Sequence, residues 1–261
     1  MMRYERLNAL LELLADRGHM SVEQLAKDLD VSTATIRRDL DHLSGQQLLI
    51  RTRGGAVASN VADLPIRYKS ARHATEKERI GVLAASELVE PGMVVGINGG
   101  TTTSEVARAI ARRSDLADRQ DGERVTVVTN AVNIANELTV RQHIKLVVVG
   151  GVARPQSYEL VGPLAHATIA QLNLDLAILG VDGIAPRPGA TTHDEDEASI
   201  NAALASRAPR VAVVADGSKV GRAAFASICP LNAIDVLITD TSASTQAIAQ
   251  INDNGVRVLT A

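Results

Sequence analysis

The apolar positions of the chain fall into two different rhythms. Over the first 57 residues they recur at helical spacing. Leu7, Leu10, Leu11 and Leu14 follow the i, i+3, i+4, i+7 stripe of a helix buried on one face. Gly18 ends that stripe, and Ser21 is placed to cap a second helix carrying Val22, Leu25, Ala26 and Leu29. After Asp30-Val31, Ser32 caps a third, with Ile36, Leu40 and Leu43 turned inward. From about residue 75 the rhythm changes to short, β-branched apolar runs separated by helical stretches. The runs are Met93-Val94-Val95, Val125 to Val128, Leu146 to Val149, Leu176 to Leu179, Val211 to Val214 and Val236 to Ile238. Continuous apolar strands alternating with helices predict a mostly parallel sheet covered on both faces, an α/β fold of the doubly wound kind. The polar stretch between the two textures, with Pro65 in it, reads as a linker. The expected organisation is therefore a small helical domain at 1–57, a linker at 58–74 and an α/β domain at 75–261.

The second and third helices, joined by a tight turn, match a helix-turn-helix, in which the second helix of the pair enters the major groove. With Ile36, Leu40 and Leu43 inward, Ala34, Arg37, Arg38 and Asp41 project outward, flanked by Thr33 and Thr35 at the helix start. Small residues there permit close approach to base edges, and two arginines can fork onto guanine or clamp phosphate. Residues Leu48 to Val57 follow as two short strands around Gly54-Gly55, a wing that carries Arg51 and Arg53. The first 57 residues balance eight basic side chains against eight acidic ones, so position rather than net charge carries the case for DNA.

In an open parallel sheet, ligands bind beyond the carboxyl ends of the strands, where strand order reverses. The first such end here is Asn98-Gly99-Gly100-Thr101-Thr102-Thr103, leading into a helix. Glycines, hydroxyls and free amides at a helix start suit a phosphate. Thr102-x-x-Glu105 also has the form of a capping box, which by itself accounts for one threonine. The other strand ends supply Thr129-Asn130, Gly150-Gly151 with Arg154 beyond, Gly180-Val181-Asp182-Gly183 and Asp216-Gly217-Ser218-Lys219. Arg154 and Lys219 favour an anion, while Asp182 and Asn130 suit sugar hydroxyls.

Two parts of the chain resemble a known family. Val31 to Leu40, followed by Arg51-Thr52-Arg53-Gly54-Gly55-Ala56, is similar to the signature of the DeoR family of transcriptional regulators. In that family's terms, Ser32, Thr33, Thr35, Arg37 and Arg38 line the DNA surface. The α/β half resembles the family's effector domain through Gly99 to Thr103, Val128-Thr129-Asn130, Val149 through Arg154 to Gly162-Pro163, Leu179 to Ile184 and Ala215 to Lys219. The resemblance implies a fold similar to ribose-5-phosphate and glucosamine-6-phosphate isomerases, and phosphorylated sugars as effectors. One position departs from the family: aspartate is common before the glycines, and here it is Asn98, which donates as well as accepts.

Composition narrows the alternatives. With 261 residues, 46% apolar and 22% charged, the chain buries an ordinary core. Only 2% is aromatic, which argues against stacking platforms for single strands. The net charge of −3 provides no whole-molecule attraction for nucleic acid. The lone Cys229, the absence of an apolar leader and the lack of any run of about 20 apolar residues point to the cytoplasm, with no membrane partner. The six histidines show no metal-ligand spacing, and Asp194 to Glu197 reads as the dipole-compensating first turn of a helix. No cofactor motif or nucleophile elbow is present. The reading is a DNA-binding regulator, not an enzyme: a repressor that binds double-stranded operator DNA, is released by a phosphorylated sugar and works as a homo-oligomer, dimer or tetramer. The rival is a sugar-phosphate isomerase with an appended DNA-binding domain, using Asp182, Asp216 and Lys219.

Overall fold

The computed structural model describes residues 2–46, 48–58, 66–69, 72–117 and 124–261. The chain forms two compact units, Met1–Arg72 and His73–Ala261. Most of the expected linker at 58–74 lies outside the described residues; within it stand a short helix α4 (Ile66–Lys69) and the first residue of α5 (Ala74–Leu88).

The first unit is built from α1 (Arg3–Arg17), β1 (Met20–Ser21), α2 (Val22–Asp28), α3 (Thr33–Gly45), β2 (Leu49–Thr52) and β3 (Gly55–Ala58). The caps fall where the sequence places them. Gly18 ends α1 at φ 73°, the Ser21 side chain accepts from Gln24 N, and the Ser32 side chain accepts from Thr35 N. Leu10, Leu14, Leu25, Ile36, Leu40 and Leu43 have no solvent exposure and form the core. Each such side chain contributes roughly 1.5–3 kcal/mol through burial. The wing is a β2–β3 hairpin that turns at Gly54, whose φ of 85° is accessible to glycine at little cost. β1 is an element that the pattern did not announce: two residues pair with β3 at Met20↔Ala56 and Ser21↔Gly55.

The second unit is organised by a seven-stranded sheet made of β4 (Val94–Ile97), β5 (Val125–Thr129), β6 (Ile144–Val148), β9 (Leu176–Gly180), β12 (Val211–Val214), β14 (Val236–Thr239) and β15 (Arg257–Thr260). Its order is β15-β14-β12-β9-β4-β5-β6, parallel throughout. Within β9, Ala177 and Leu179 face one core while Leu176 and Ile178 face the other. That period of two explains the continuous apolar runs, since both faces are covered. α5, α6 (Thr101–Arg112) and α8 (Val132–Leu138) cover one face; α9 (Pro163–Ile169), α10 (Glu195–Ser206) and α11 (Thr245–Asp253) supply the other. The remaining helix, α7 (Ser114–Ala117), is a single turn.

Three features of this unit depart from the periodicity. β15 was not foreseen, because Arg257-Val258-Leu259-Thr260 is an edge strand with polar ends. A small antiparallel sheet joins β10 (Gly183–Ala185), β11 (Gly189–Thr192) and β13 (Ala226–Cys229). A two-residue-per-strand hairpin pairs β7 (Val152–Ala153) with β8 (Leu160–Val161). Such short strands have no hydrophobic period to read.

The chain places β5 and β6 on one side of β4, then returns to set β9 on the other side. Strand order thus reverses between β4 and β9, and the crevice at their carboxyl ends is the position where ligands bind in such sheets.

A candidate DNA-reading surface and a switch-point crevice

On α3, Ser32, Ala34, Arg37, Arg38 and Asp41 are exposed, and Thr33 and Thr35 are half-buried. Ser32 Oγ also lies 2.9 Å from Thr35 Oγ1, so the Ser32 hydroxyl both caps α3 and holds the Thr35 hydroxyl beside it. Asp39, next to the two arginines in sequence, is withdrawn. Its carboxylate accepts from Arg6 Nε at 2.6 Å, is 2% exposed and ties α3 to α1. That hydrogen bond outweighs burial and holds the Arg6 guanidinium above its ordinary pKa. Counting charges along the chain therefore understated the surface: Asp39 neutralises Arg6 inside, and Arg37 and Arg38 stand without it. In the wing, Arg53 is exposed, while Arg51 leans back to Asp41 at 3.4 Å.

At the switch point, Asn98 is 1% exposed and uses both ends of its amide on one residue across the crevice. Nδ2 donates to Gly180 O at 3.0 Å, and Gly180 N donates to Oδ1 at 2.7 Å. The side chain thus extends the β4–β9 pairing by one rung. An aspartate cannot donate to Gly180 O, which gives a physical reason for an amide at this position.

The cap of α6 is Gly100, not Thr102, and it makes no side-chain hydrogen bond. The capping box expected at Thr102-x-x-Glu105 is therefore not formed. Thr102 lies inside the first turn and is buried, and Glu105 pairs with Arg108 instead. Thr103 Oγ1 and Ser104 Oγ both donate to Gly100 O, at 3.2 and 2.6 Å. Thr101 is half-buried at the helix opening.

The remaining residues join through a network that no strand end announces by itself. Arg154, beyond β7, reaches Asp194 at 3.0 Å and Glu197 at 2.8 Å. Glu197 accepts from Thr192 Oγ1, which also bonds Asp182 Oδ2, both at 3.1 Å. Asp182 pairs with Lys219 at 3.3 Å. Asp216 is buried as the cap of a 3-10 turn at Gly217–Lys219, accepting from Ser218 N at 3.1 Å and from the Ser218 hydroxyl. The acidic run divides as well: Asp194 caps α10, Glu195 and Asp196 face solvent, and Glu197 turns inward.

Glu159, just before β8, is a site residue that strand ends do not reveal. It is 2% exposed, and its Oε1 accepts from Gly99 N at 2.6 Å. Burial, then the nearby charge of Glu197, pushes its carboxyl well above the ordinary range, against the pull of Gly99, Asn130 and Asn201. Burial raises Glu197 too, opposed by Ser157 and Arg154. Glu159 follows the polar segment Gln156-Ser157-Tyr158, so no local pattern marked it as buried. Asn130, fully buried, donates from Nδ2 to Leu160 O at 3.3 Å.

A cleft of about 630 Å³ lies beside the 3-10 turn, lined by Gly217, Ser218, Arg222, Ser242, Ser244 and Gln246 among others. It does not include Asn98, Thr101 to Thr103, Asn130, Arg154 or Asp182. Among the described residues no group of histidine, cysteine or acidic side chains is arranged to hold a metal, and no helix is long and apolar enough to cross a membrane. Burial pushes the Cys229 thiol up to about 11, which keeps it protonated.

Two family models match the chain: the DeoR-like helix-turn-helix domain over residues 6–61 and the DeoR C-terminal sensor domain over residues 72–241. The chain belongs to the DeoR family. Relatives run its full length. The glycerol-3-phosphate regulon repressor of Escherichia coli K12 is 31% identical, over 99% of each chain. The regulator GlpR of Haloferax volcanii is 36% identical, over 99% of this chain and 98% of its own. The repressor GlcR of Bacillus subtilis is 34% identical, over 99% and 96%. Among solved structures, the DeoR-family chain is similar to ribose 5-phosphate isomerase from Plasmodium falciparum, with 20% identity, 55% and 51% of the chains covered and a TM-score of 0.39. It is also similar to the full-length sorbitol operon regulator SorC from Klebsiella pneumoniae, with 16% identity, 94% and 96% covered and a TM-score of 0.40.

Proposed function

We propose that this DeoR-family protein is a cytoplasmic repressor of a sugar-catabolic operon, which releases its operator when a phosphorylated sugar binds the β4–β9 crevice. The observation that carries the DNA half is α3, which presents Arg37 and Arg38 to solvent while withdrawing Asp39. Ser32, Thr33 and Thr35 at the helix start, with Arg51 and Arg53 in the wing, complete the surface. Phosphate contacts by such cations supply most of the affinity, and base-edge contacts supply the specificity. Support for the sensing half comes from the Gly99 to Thr103 segment opening α6 at the strand-order reversal, with Asn130, Arg154, Asp182 and Lys219 at neighbouring strand ends. One full-length relative is named the glycerol-3-phosphate regulon repressor, which supports a small phosphorylated effector for this chain. The effector binds one arrangement of the protein better than another, and the favoured arrangement fits the operator worse. A homo-oligomer would present two recognition helices to repeated half-sites.

The decisive experiment is a mobility shift with DNA from the protein's own promoter region, with and without a panel of sugar phosphates. A sequence-specific complex released by one compound supports both halves. A complex indifferent to the whole panel removes the sensing half.

An isomerase reading draws on the crevice carboxylates, since isomerisation requires a base beside the substrate carbon. Of its three candidates, Asp182 and Lys219 meet, whereas Asp216 turns Oδ1 to the backbone and hydroxyl of Ser218 in capping its own turn. Turnover of a sugar phosphate that the protein binds would establish that activity; binding without turnover removes it.

A further inference from the structure

Buried polar atoms are nearly always paired, so buried acceptors without partners call for an account. Three occur together here. Glu159 Oε2, Asn130 Oδ1 and Asn201 Oδ1 are buried without a hydrogen-bond partner, and the two amides lie against the Glu159 carboxyl. An ionised carboxylate can only accept: turning the Asn201 amide over would give Oε2 a donor, but Asn130 Oδ1 would still lack one. Turning the Asn130 amide over would sacrifice its bond to Leu160 O. A proton on Glu159 resolves the conflict that remains: Oε1 still accepts from Gly99 N, and Oε2–H donates to Asn130 Oδ1.

We propose that Glu159 is a positioning residue for the Gly99–Thr103 loop, held as a neutral carboxylic acid that fastens the loop to the β7–β8 hairpin. The contact is close. A Cβ added to Gly99 would run into Glu159 Cγ, so glycine and glutamate form a matched pair. The surrounding charges leave no cation for Glu159. On α10, Glu197 and Asp194 share Arg154, which comes from the hairpin itself. Beyond them, Asp182 is matched by Lys219. Among the described residues no positive side chain pairs with Glu159, and its burial beside Glu197 favours the protonated form. For the sensor, neutrality matters because the loop opens the helix at which the effector phosphate is assigned. An ionised carboxylate one residue from that site would repel the phosphate. This consequence rests on the anion-binding role proposed above; the neutral latch itself does not.

Three versions of the full chain separate the possibilities: wild type, Glu159→Gln and Glu159→Ala. Glutamine reproduces the acceptor and the donor of the protonated acid. In the unliganded protein at neutral pH, infrared difference spectra are expected to show a carboxylic-acid carbonyl band that Glu159→Gln lacks. Hydrogen exchange in the segment 98–104 should be alike in wild type and Glu159→Gln, and about tenfold faster in Glu159→Ala. Absence of the band, or equal exchange in all three, would overturn the proposal. Inorganic phosphate then probes the consequence: beyond the change that its own titration brings to both proteins, its affinity should fall as pH rises in wild type and not in Glu159→Gln. The same pH dependence in both would overturn the linkage. An intact latch with no phosphate binding in either protein would instead remove the anion-site reading.

Discussion

Arg37 and Arg38 on α3 stand in solvent, whereas Arg154 in the other unit is 16% exposed and held between Asp194 and Glu197. The same side chain serves two purposes. In the proposed function the helix arginines keep their hydration and flexibility until phosphate and base edges replace water, so their binding energy is reserved for a partner. Arg154 has already surrendered its hydration to two carboxylates, so an effector bound there as proposed would have to reorganise a satisfied network. A surface that recognises a rigid, highly charged polymer needs little preparation. A crevice that must respond to a small molecule and transmit the response benefits from groups already coupled to one another.

The contrast can be broken most forcefully at the core of the first unit. Leu40→Ala removes a fully buried side chain and should cost about 2–5 kcal/mol. A unit this small has little stability to spare. Operator binding should disappear while the sensing unit retains its own melting transition in calorimetry. Loss of both transitions together would show that the units do not fold separately.

Next is Arg154→Met, expected to destabilise the second unit by roughly 2–3 kcal/mol, below the range for a fully buried pair because Asp194 keeps some solvent. Denaturant unfolding of Arg154→Met and Arg38→Met gives the comparison directly, with Arg38→Met expected to stay within about 0.5 kcal/mol of wild type. Equal losses would contradict the division drawn between the two arginines.

Arg38→Ala should instead weaken operator affinity by about 1–3 kcal/mol and flatten its salt dependence, with effector binding unchanged. Fluorescence anisotropy across a salt series reads both quantities.

Glu159 supplies a pH signature. Its folded pKa lies above the ordinary 4.5, so the folded protein holds the proton more tightly than the unfolded chain does. Stability from this group is complete below that ordinary value and drains as pH rises through the folded one, by at most about 1.4 kcal/mol per pH unit. Glu159→Gln should remove that slope from urea midpoints measured across pH. The smallest effect is expected at Lys219→Ala. It frees a partly exposed pair with Asp182, changes stability by under about 1 kcal/mol, leaves operator binding intact and blunts the effector response.

Much of this was legible in the chain itself. Helix stripes and their caps at Ser21 and Ser32 depend on neighbours three and four residues away, and the short apolar runs of the inner strands depend on a sheet covered on both faces. Local spacing therefore encodes the recognition helix, the wing and the parallel sheet. The strand-end segments carrying Gly99 to Thr103, Asn130, Asp182 and Lys219 were readable for the same reason, since each follows an apolar run. Tertiary structure decided the rest. Asp39 is internal because α1 brings Arg6 to it from 33 residues away. Asn98 is a strut because the strand-order reversal sets Gly180 82 residues later opposite its amide. Glu159 meets Gly99 across 60 residues through a hairpin too short to show a period. The protonation of Glu159, and what each polar residue has left for a ligand, depend on desolvation and on partners that no local pattern specifies.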